Sequence, residues 1–583
     1  MIRKVGFNRA LEILESDLGP VSPEEVSGLH LARFLLSSGS GGSNNWVVSG
    51  SRTESGLPLL ANDPHLEITL PPIWYEMHLF SPGFNVVGVS FPGVPLIIIG
   101  HNADIAWGVT SSAADVQDIY AEKLNKTGDA YLEPEGWKPL RRSEEVIRVR
   151  GKKDPVRMEV LWTSRGPILS GAADTDGASF SLRWTIHEGG RILEAVYLLN
   201  KARDWQEFCR AMEFWDTPSQ NIVYADIQGN IGYYLSGKIP LRKKSAAVFP
   251  APGWEAENQW QGFLEEGKKP NVFNPESGFI ITANNKIIPG DYPFYISCDF
   301  DLPFRVNRIE ELISGQARHS VDSFRRIQND VHSKRAELFL SYIRSLKPAD
   351  EKAKKAQALL GAWSGEMKAG PEAALFAVFV DILCEEVFED ELGEEFEDFR
   401  RLFRRKQAGL FRLLSDPVSE WYDNTQTGGR EDRDGIFCLS LKKAYEWLEK
   451  EQGSPEKWDW TRLHAITFSH ALGQVPLFRF FNRGPFPLDG DSFCVRASFG
   501  HDIAGNFATT HGASCRQIID LSDFRNSVCV LSSGQSGHFL SRHYDDQMPL
   551  WLRGGYRPML FHPDDVEANA SAILVLKPFS RKD

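Results

Sequence analysis

SSGSGGSNNWVVSG, residues 37–50, is the stretch on which the reading of this chain turns. Its first seven residues are Ser or Gly, and Trp46-Val47-Val48 follows. A Ser/Gly run has linker composition, and an aromatic and β-branched triplet reads as a strand. Ser43 stands at the join. A serine freed at a chain's own N-terminus can use its α-amine as general base, because that amine has an unperturbed pKa of about 8. Gly41-Gly42 ahead of Ser43 would let the backbone bend and leave the Gly42 carbonyl open to the Ser43 hydroxyl. The stretch is therefore a linker or a cleavage point, depending on what lies downstream.

The chain has 583 residues, 42% hydrophobic and 25% charged, with formal net charge −13. That composition is globular and long enough for a large core. The acidic balance argues against nucleic acid and anionic membrane as partners, since both reward Lys/Arg clusters. No apolar run reaches the length of about 18 residues that a membrane span needs. The N-terminal MIRKVGFNRALEILESDLGP carries Arg9, Glu12, Glu15 and Asp17, which suits an amphipathic helix and not a secretory signal. The chain as written reads as cytoplasmic, or as periplasmic or secreted if its N-terminus is truncated. Seven cysteines stand singly without a CxxC, so buried free thiols are expected.

Residues 1–36 read as helical. Residues 43–305 read as β-rich, with VIRVRG (146–151) and VRMEVLWTS (156–164) as a hairpin, and Val94 to Ile99 as a buried strand. From 306 to 465 apolar residues recur at three and four spacings, predicting helices. In EEVFEDELGEEFEDFRRLFRRK (385–406) the phenylalanines are expected to turn inward from a solvated face. Residues 466–583 return to short strands, with SAILVLKPF (571–579) as a terminal strand. β, then helices, then β predicts an α+β fold.

Familiar catalytic signatures are missing. There is no GxGxxG between strand and helix, no GxxxxGK[ST] and no HExxH. Gly534-Gln535-Ser536-Gly537-His538 lacks the last glycine of a nucleophile elbow and reads as a tight turn; a serine hydrolase using Ser536 is the weakest alternative. His464 and His470 are six apart, the wrong spacing for one helix face.

Downstream of Ser43 come SNNWVVSGSRTESGLPLLANDPHLE (43–67), FPGVPLIIIGHNADIAWGVTSSAADVQDIYAEKL (91–124), DTPSQNIVYADIQGNIGYYLSGKIPLR (216–242), TANN (282–285), FRVNRI (304–309) and SSGQSGHFLSRHYDDQMPLW (532–551). In this order they resemble the penicillin acylase (penicillin amidase) family of N-terminal nucleophile hydrolases, over essentially all of 43–583. The resemblance implies a four-layer αββα sandwich of antiparallel sheets with a large helical insertion. It also implies self-cleavage before Ser43, making residues 1–42 the remnant of an α-chain or spacer, and Ser43 the nucleophile with its α-amine as base. His65 would support the amine, the Asn284 side chain and the Ser111 backbone N–H would be oxyanion donors, and Arg305 would orient the amine and Asn284. Leu66, Ile98, Ile99 and Ala113 would line an apolar acyl pocket. Asp115, Gln117, Asp118 and the Pro240 carbonyl would hold a structural Ca²⁺, with Asp291 a loose further candidate.

The expected reaction is hydrolysis of a small-molecule N-acyl amide, penicillin-type or related, through an acyl-enzyme. The family's α-chain is longer than the 42 residues ahead of Ser43. The alternative expectation is thus a catalytically incomplete remnant, or a β-subunit that needs a separate α-chain.

Overall fold

A computed structural model of the chain describes residues 41–169, 178–242, 250–401, 403–500 and 505–577. The predicted N-terminal helix lies outside them.

Among the described residues the architecture is α+β, built on two large antiparallel sheets of eight and seven strands. The elements that build the site are strands β1 (Gly42–Val48), β2 (Leu59–Glu67), β3 (Ile105–Ser111), β4 (Gln220–Asp226), β5 (Phe279–Thr282) and β6 (Cys515–Asp520), with helices α1 (Ile192–Lys201), α2 (Trp205–Met212), α3 (Phe304–Ser314) and α4 (Val321–Gln328). The first sheet runs β5-β1-β2-β6 inward from one edge, and the second centres on β4 and β3.

Both faces of the first sheet are covered, so its strands are buried on alternate and intervening residues alike. Trp46, Val48, Leu59, Ala61 and Ile518 face α3 and α4, packing on Ile309, Ile313, Phe324 and Ile327. Val47, Leu60 and Ile519 face the other way, onto Val87, Ala106, Val223 and Ala225 of the second sheet. The far side of that sheet buries Trp107, Ile222 and Tyr224 against Val196, Leu199 and Phe208 of α1 and α2. Helices, sheet, sheet, helices is the expected four-layer order. Full burial of each such large side chain is worth roughly 1.5–3 kcal/mol.

The hairpin forms as predicted, Arg141–Ile147 pairing with Val156–Trp162. Helices occupy the region from Phe304 to Leu463, and Phe388, Phe396 and Phe399 are buried there as expected. None of the seven cysteines forms a disulfide. No described helix is long and apolar enough to cross a membrane.

Three expectations fail. Helices α1 and α2 interrupt the β-rich region; Ile192, Ala195, Val196 and Leu199 carry helical spacing, and Asp204 caps α2 by accepting from the Glu207 N–H. The strand near Val94–Ile99 begins only at Ile99, after a turn at Pro92-Gly93 and irregular backbone through Pro95. Residues 571–577 form no strand, and Ile573, Leu574, Val575 and Leu576 are exposed. A strand needs a ladder partner, and composition cannot supply one.

Candidate active site

Three strands and one helix deliver the site. β1 lies between β5 and β2, with Gly42 opposite His65, Ser43 opposite Pro64 and Asn44 opposite Asp63. Because strand side chains alternate, Ser43, Asn45 and Val47 face the second sheet, whereas Asn44, Asp63 and His65 face the helical layer. Asn284 follows β5, and Arg305 sits in the first turn of α3.

Gly42 and Ser43 open one continuous strand, β1. The Ser43 hydroxyl donates to the Gly42 carbonyl at 2.5 Å, and the Ser43 N–H donates to Asn284 Oδ1 at 2.7 Å. Arg305 clasps the same point: Nη1 donates to the Ser43 carbonyl (2.8 Å) and Asn44 Oδ1 (2.7 Å), and Nη2 to Asn284 Oδ1 (2.9 Å) and Asp301 Oδ2 (2.7 Å). Ser43, Asn44, His65, Asn284 and Arg305 are all buried. Asn284 has φ of +64°, a left-handed conformation that asparagine tolerates better than most residues. Its Nδ2 donates to the Ser111 carbonyl at 2.9 Å, so in the uncut chain Ser111 meets Asn284 through its C=O and not through its N–H. An amide nitrogen carries two hydrogens, and the second has no partner among the described residues.

His65 is fully buried. Its Nε2 lies 2.7 Å from Asp63 Oδ2, and its Nδ1 has no hydrogen-bond partner. That Nδ1 faces Gly42: a Cβ built there would lie 3.2 Å from it and 3.4 Å from Arg305 Nη2, so only glycine fits comfortably ahead of Ser43. Burial lowers the His65 pKa, opposed by Asp63 and assisted by Arg305 and Arg516, which keeps the ring neutral near pH 7.

Sequence reasoning missed the amide and hydroxyl network between the sheets. Asn62 Nδ2 donates to the Asn44 and Val109 carbonyls, and its Oδ1 accepts from the Val109 N–H. It replaces a strand rung, and Gly108 is required beside it, because a Cβ there would come within 2.9 Å of Asn62. Asn45, Thr110, Thr282 and Asn221 continue the network. The signal available in the sequence was a run of polar residues inside apolar strands: buried polar groups persist only when hydrogen-bonded.

Of the expected pocket residues, Leu66, Ile98 and Ile99 come together with Trp74, Val89, Cys515 and Leu531, and Trp74 stacks on the partly exposed Phe91 at 4.6 Å. Ala113, with φ of +54°, lies outside that cluster. Ser536 lies in a loop, its N–H donating to the His543 carbonyl.

The expected calcium ligands do not fit calcium. Arg242 Nε donates to Asp118 Oδ2 (3.0 Å), and its Nη2 donates to Asp118 Oδ1 (3.1 Å) and the Asp115 carbonyl (3.0 Å). Trp260 Nε1 also donates to Asp118 Oδ2. Tyr295 takes Asp115 Oδ2, Gln117 opens a strand, and Pro240 is buried in a bridge with Phe263. Calcium takes 6–8 oxygens, and the described residues hold no group of three His, Cys, Asp or Glu arranged for a metal. A guanidinium already occupies this corner. Asp291 is not among the carboxylates acting on Asp115, where Asp299 is found instead.

A family model for penicillin amidase matches residues 3–568. The chain belongs to the penicillin amidase family. It is 28% identical over 578 residues to the acyl-homoserine lactone acylase QuiP of Pseudomonas aeruginosa, an alignment covering 90% of this chain and 67% of that protein. It is 29% identical over 597 residues to the penicillin acylase 2 proenzyme of a Pseudomonas species, covering 97% and 73%. A crystal structure of a thermostable penicillin G acylase from Alcaligenes faecalis shares the fold, with a TM-score of 0.71, 24% identity, and coverage of 92% of this chain and 100% of that one. This penicillin amidase family member is therefore an enzyme hydrolysing an amide carbon–nitrogen bond.

Proposed function

We propose that the chain cuts its own Gly42–Ser43 bond and then, with Ser43 as N-terminal nucleophile, removes an apolar acyl group from an N-acyl amide of the acyl-homoserine lactone or penicillin type. The observation that carries this reading is the pairing at one residue: the Ser43 hydroxyl rests on the Gly42 carbonyl while the Ser43 N–H is held by Asn284. In the first step Oγ adds to the Gly42 carbonyl carbon, the carbon–nitrogen bond breaks, and the nitrogen gains a proton to leave as the α-amine. Water then hydrolyses the resulting ester.

In the mature site the amine accepts the Oγ proton as Ser43 attacks a substrate amide. The free N–H of Asn284 and the Ser111 backbone N–H stabilise the oxyanion, and the Arg305 charge favours the unprotonated amine. Leu66, Ile98, Ile99, Trp74 and Phe91 form the apolar wall for the acyl chain. The similarity to an acyl-homoserine lactone acylase and to a penicillin acylase supports these two substrate classes.

The test is intact mass and N-terminal sequencing of the purified chain, followed by assay of acyl-homoserine lactones and phenylacetyl amides. A chain beginning at Ser43 that releases the amine product is expected. A chain still joined from Met1 through Ser43, and inactive, sinks the proposal.

A further inference from the structure

We propose that Asp63 is a positioning residue: it holds the Nε2–H of His65 so that the Nδ1 lone pair is presented to the place Gly42 vacates, where it accepts a hydrogen bond from the new Ser43 α-amine, directly or through one water. This inference rests on the function proposed above and assigns to Asp63 a role in that same site.

The hydrogen bonds favour one tautomer: Asn44 Nδ2 also lies 3.4 Å from His65 Nε2, but its two hydrogens have nearer acceptors in Asp63 Oδ2 and the Val495 carbonyl. Arg305 has only donors, so Asn44, which meets Arg305 Nη1 through Oδ1, turns its NH₂ toward Asp63 Oδ2 at 3.0 Å. The Tyr556 hydroxyl donates to Gln328 Oε1, which turns the Gln328 NH₂ toward Asp63 Oδ1 at 3.1 Å. Asp63, itself buried, is thereby an acceptor for three donors, and the third is His65 Nε2 at 2.7 Å. A neutral imidazole carries one N–H. With that hydrogen on Nε2, Nδ1 is the lone pair, and it is the ring atom without a partner beside Gly42.

The strand register separates this role from that of a base for the hydroxyl. His65 and Asp63 face the helical layer, while the Ser43 side chain faces the second sheet. His65 therefore addresses the nitrogen at the strand end and not Oγ. One amine hydrogen already has its acceptor in Asn284 Oδ1. A second on Nδ1 leaves the amine lone pair directed at Oγ. The charged groups facing His65 are Asp63 from β2, Arg305 from α3 and Arg516 from β6.

The test is a double-mutant cycle of Asp63→Asn and His65→Gln on the full chain, scoring self-cleavage by intact mass and kcat/KM on an acyl amide across pH. A glutamine at 65 offers a carbonyl acceptor with no tautomer to fix. Asp63→Asn is expected to lower kcat/KM by roughly 10²-fold in the wild-type background, but by less than about 2-fold in the His65→Gln background. It is also expected to move the acid limb of the wild-type profile to lower pH, since Asp63 holds the imidazole pKa up against burial. Equal losses in both backgrounds, misfolding included, or an unmoved acid limb, overturn the role of Asp63. A wild-type chain that stays whole and inactive overturns the function proposed above, and this inference with it.

Discussion

The Ser43 site and the Asp118 corner are both built around an arginine side chain that clasps a carboxylate and a backbone carbonyl, yet they leave different groups open. Arg305 gathers the Ser43 carbonyl, Asn44, Asn284 and Asp301 while leaving one Asn284 N–H and His65 Nδ1 unspent. Arg242 occupies both oxygens of Asp118 and the Asp115 carbonyl, with Trp260 and Tyr295 taking more of the acceptors. At the Ser43 end a lone pair and an N–H beside a hydroxyl stay open to chemistry, whereas at the Asp118 corner the carboxylate oxygens are taken and the unspent group is a guanidinium donor, Arg242 Nη1.

The sharpest way to break this contrast is Ser43→Ala. It is expected to abolish both self-cleavage and amide hydrolysis, leaving a 65.6 kDa chain on a denaturing gel. Next in size is Asn284→Ala, which removes the proposed oxyanion donor and the acceptor for the Ser43 N–H; a fall in kcat of about 10²–10³ is expected from steady-state kinetics. Arg242→Ala should leave chemistry alone and cost stability instead. Removing one partner of a buried pair costs about 3–5 kcal/mol, read by denaturant unfolding.

A smaller effect concerns acid. Burial lowers His101 and His464 to about 4. The unfolded chain then binds more protons than the folded one below pH 6.5, so each histidine contributes stability that is present above pH 6.5 and lost as pH falls toward 4. The loss approaches about 3 kcal/mol each. Asp115, raised to about 7 by burial, works in the opposite direction over the same range. A Tm clearly lower at pH 4.5 than at pH 7 is expected, and a flat profile would deny the histidines this role. The smallest expected effect is none: EDTA or added Ca²⁺ should not move the wild-type Tm, because Arg242 supplies the positive charge in that corner. A Ca²⁺-dependent Tm would show that the guanidinium gives way to the ion.

Much of the site was legible because its residues stand in short, ordered motifs. Ser43, His65, Asn284 and Arg305 converge from separate motifs onto one strand end. The helical stretch from 304 onward was legible from its periodicity, which a buried stripe imposes on any helix. Helices α1 and α2 were equally periodic but short, and they were lost inside a region named for its strands. The strand expected at 571–577 failed for the converse reason, since local composition was right and no neighbour came to pair with it.

The order of motifs, and hence the fold and the family, came from the sequence by itself, because each motif is a local run whose chemistry survives without its neighbours. What only the tertiary structure decided was partnership: that Asp63 backs His65 and Arg242 fills the corner read as a calcium site, and that Ser111 turns its carbonyl to Asn284. Hydrogen bonds join residues as far apart as Ser43 and Asn284. Whether a polar side chain ends up spent or available is settled only when every competing donor and acceptor is in place.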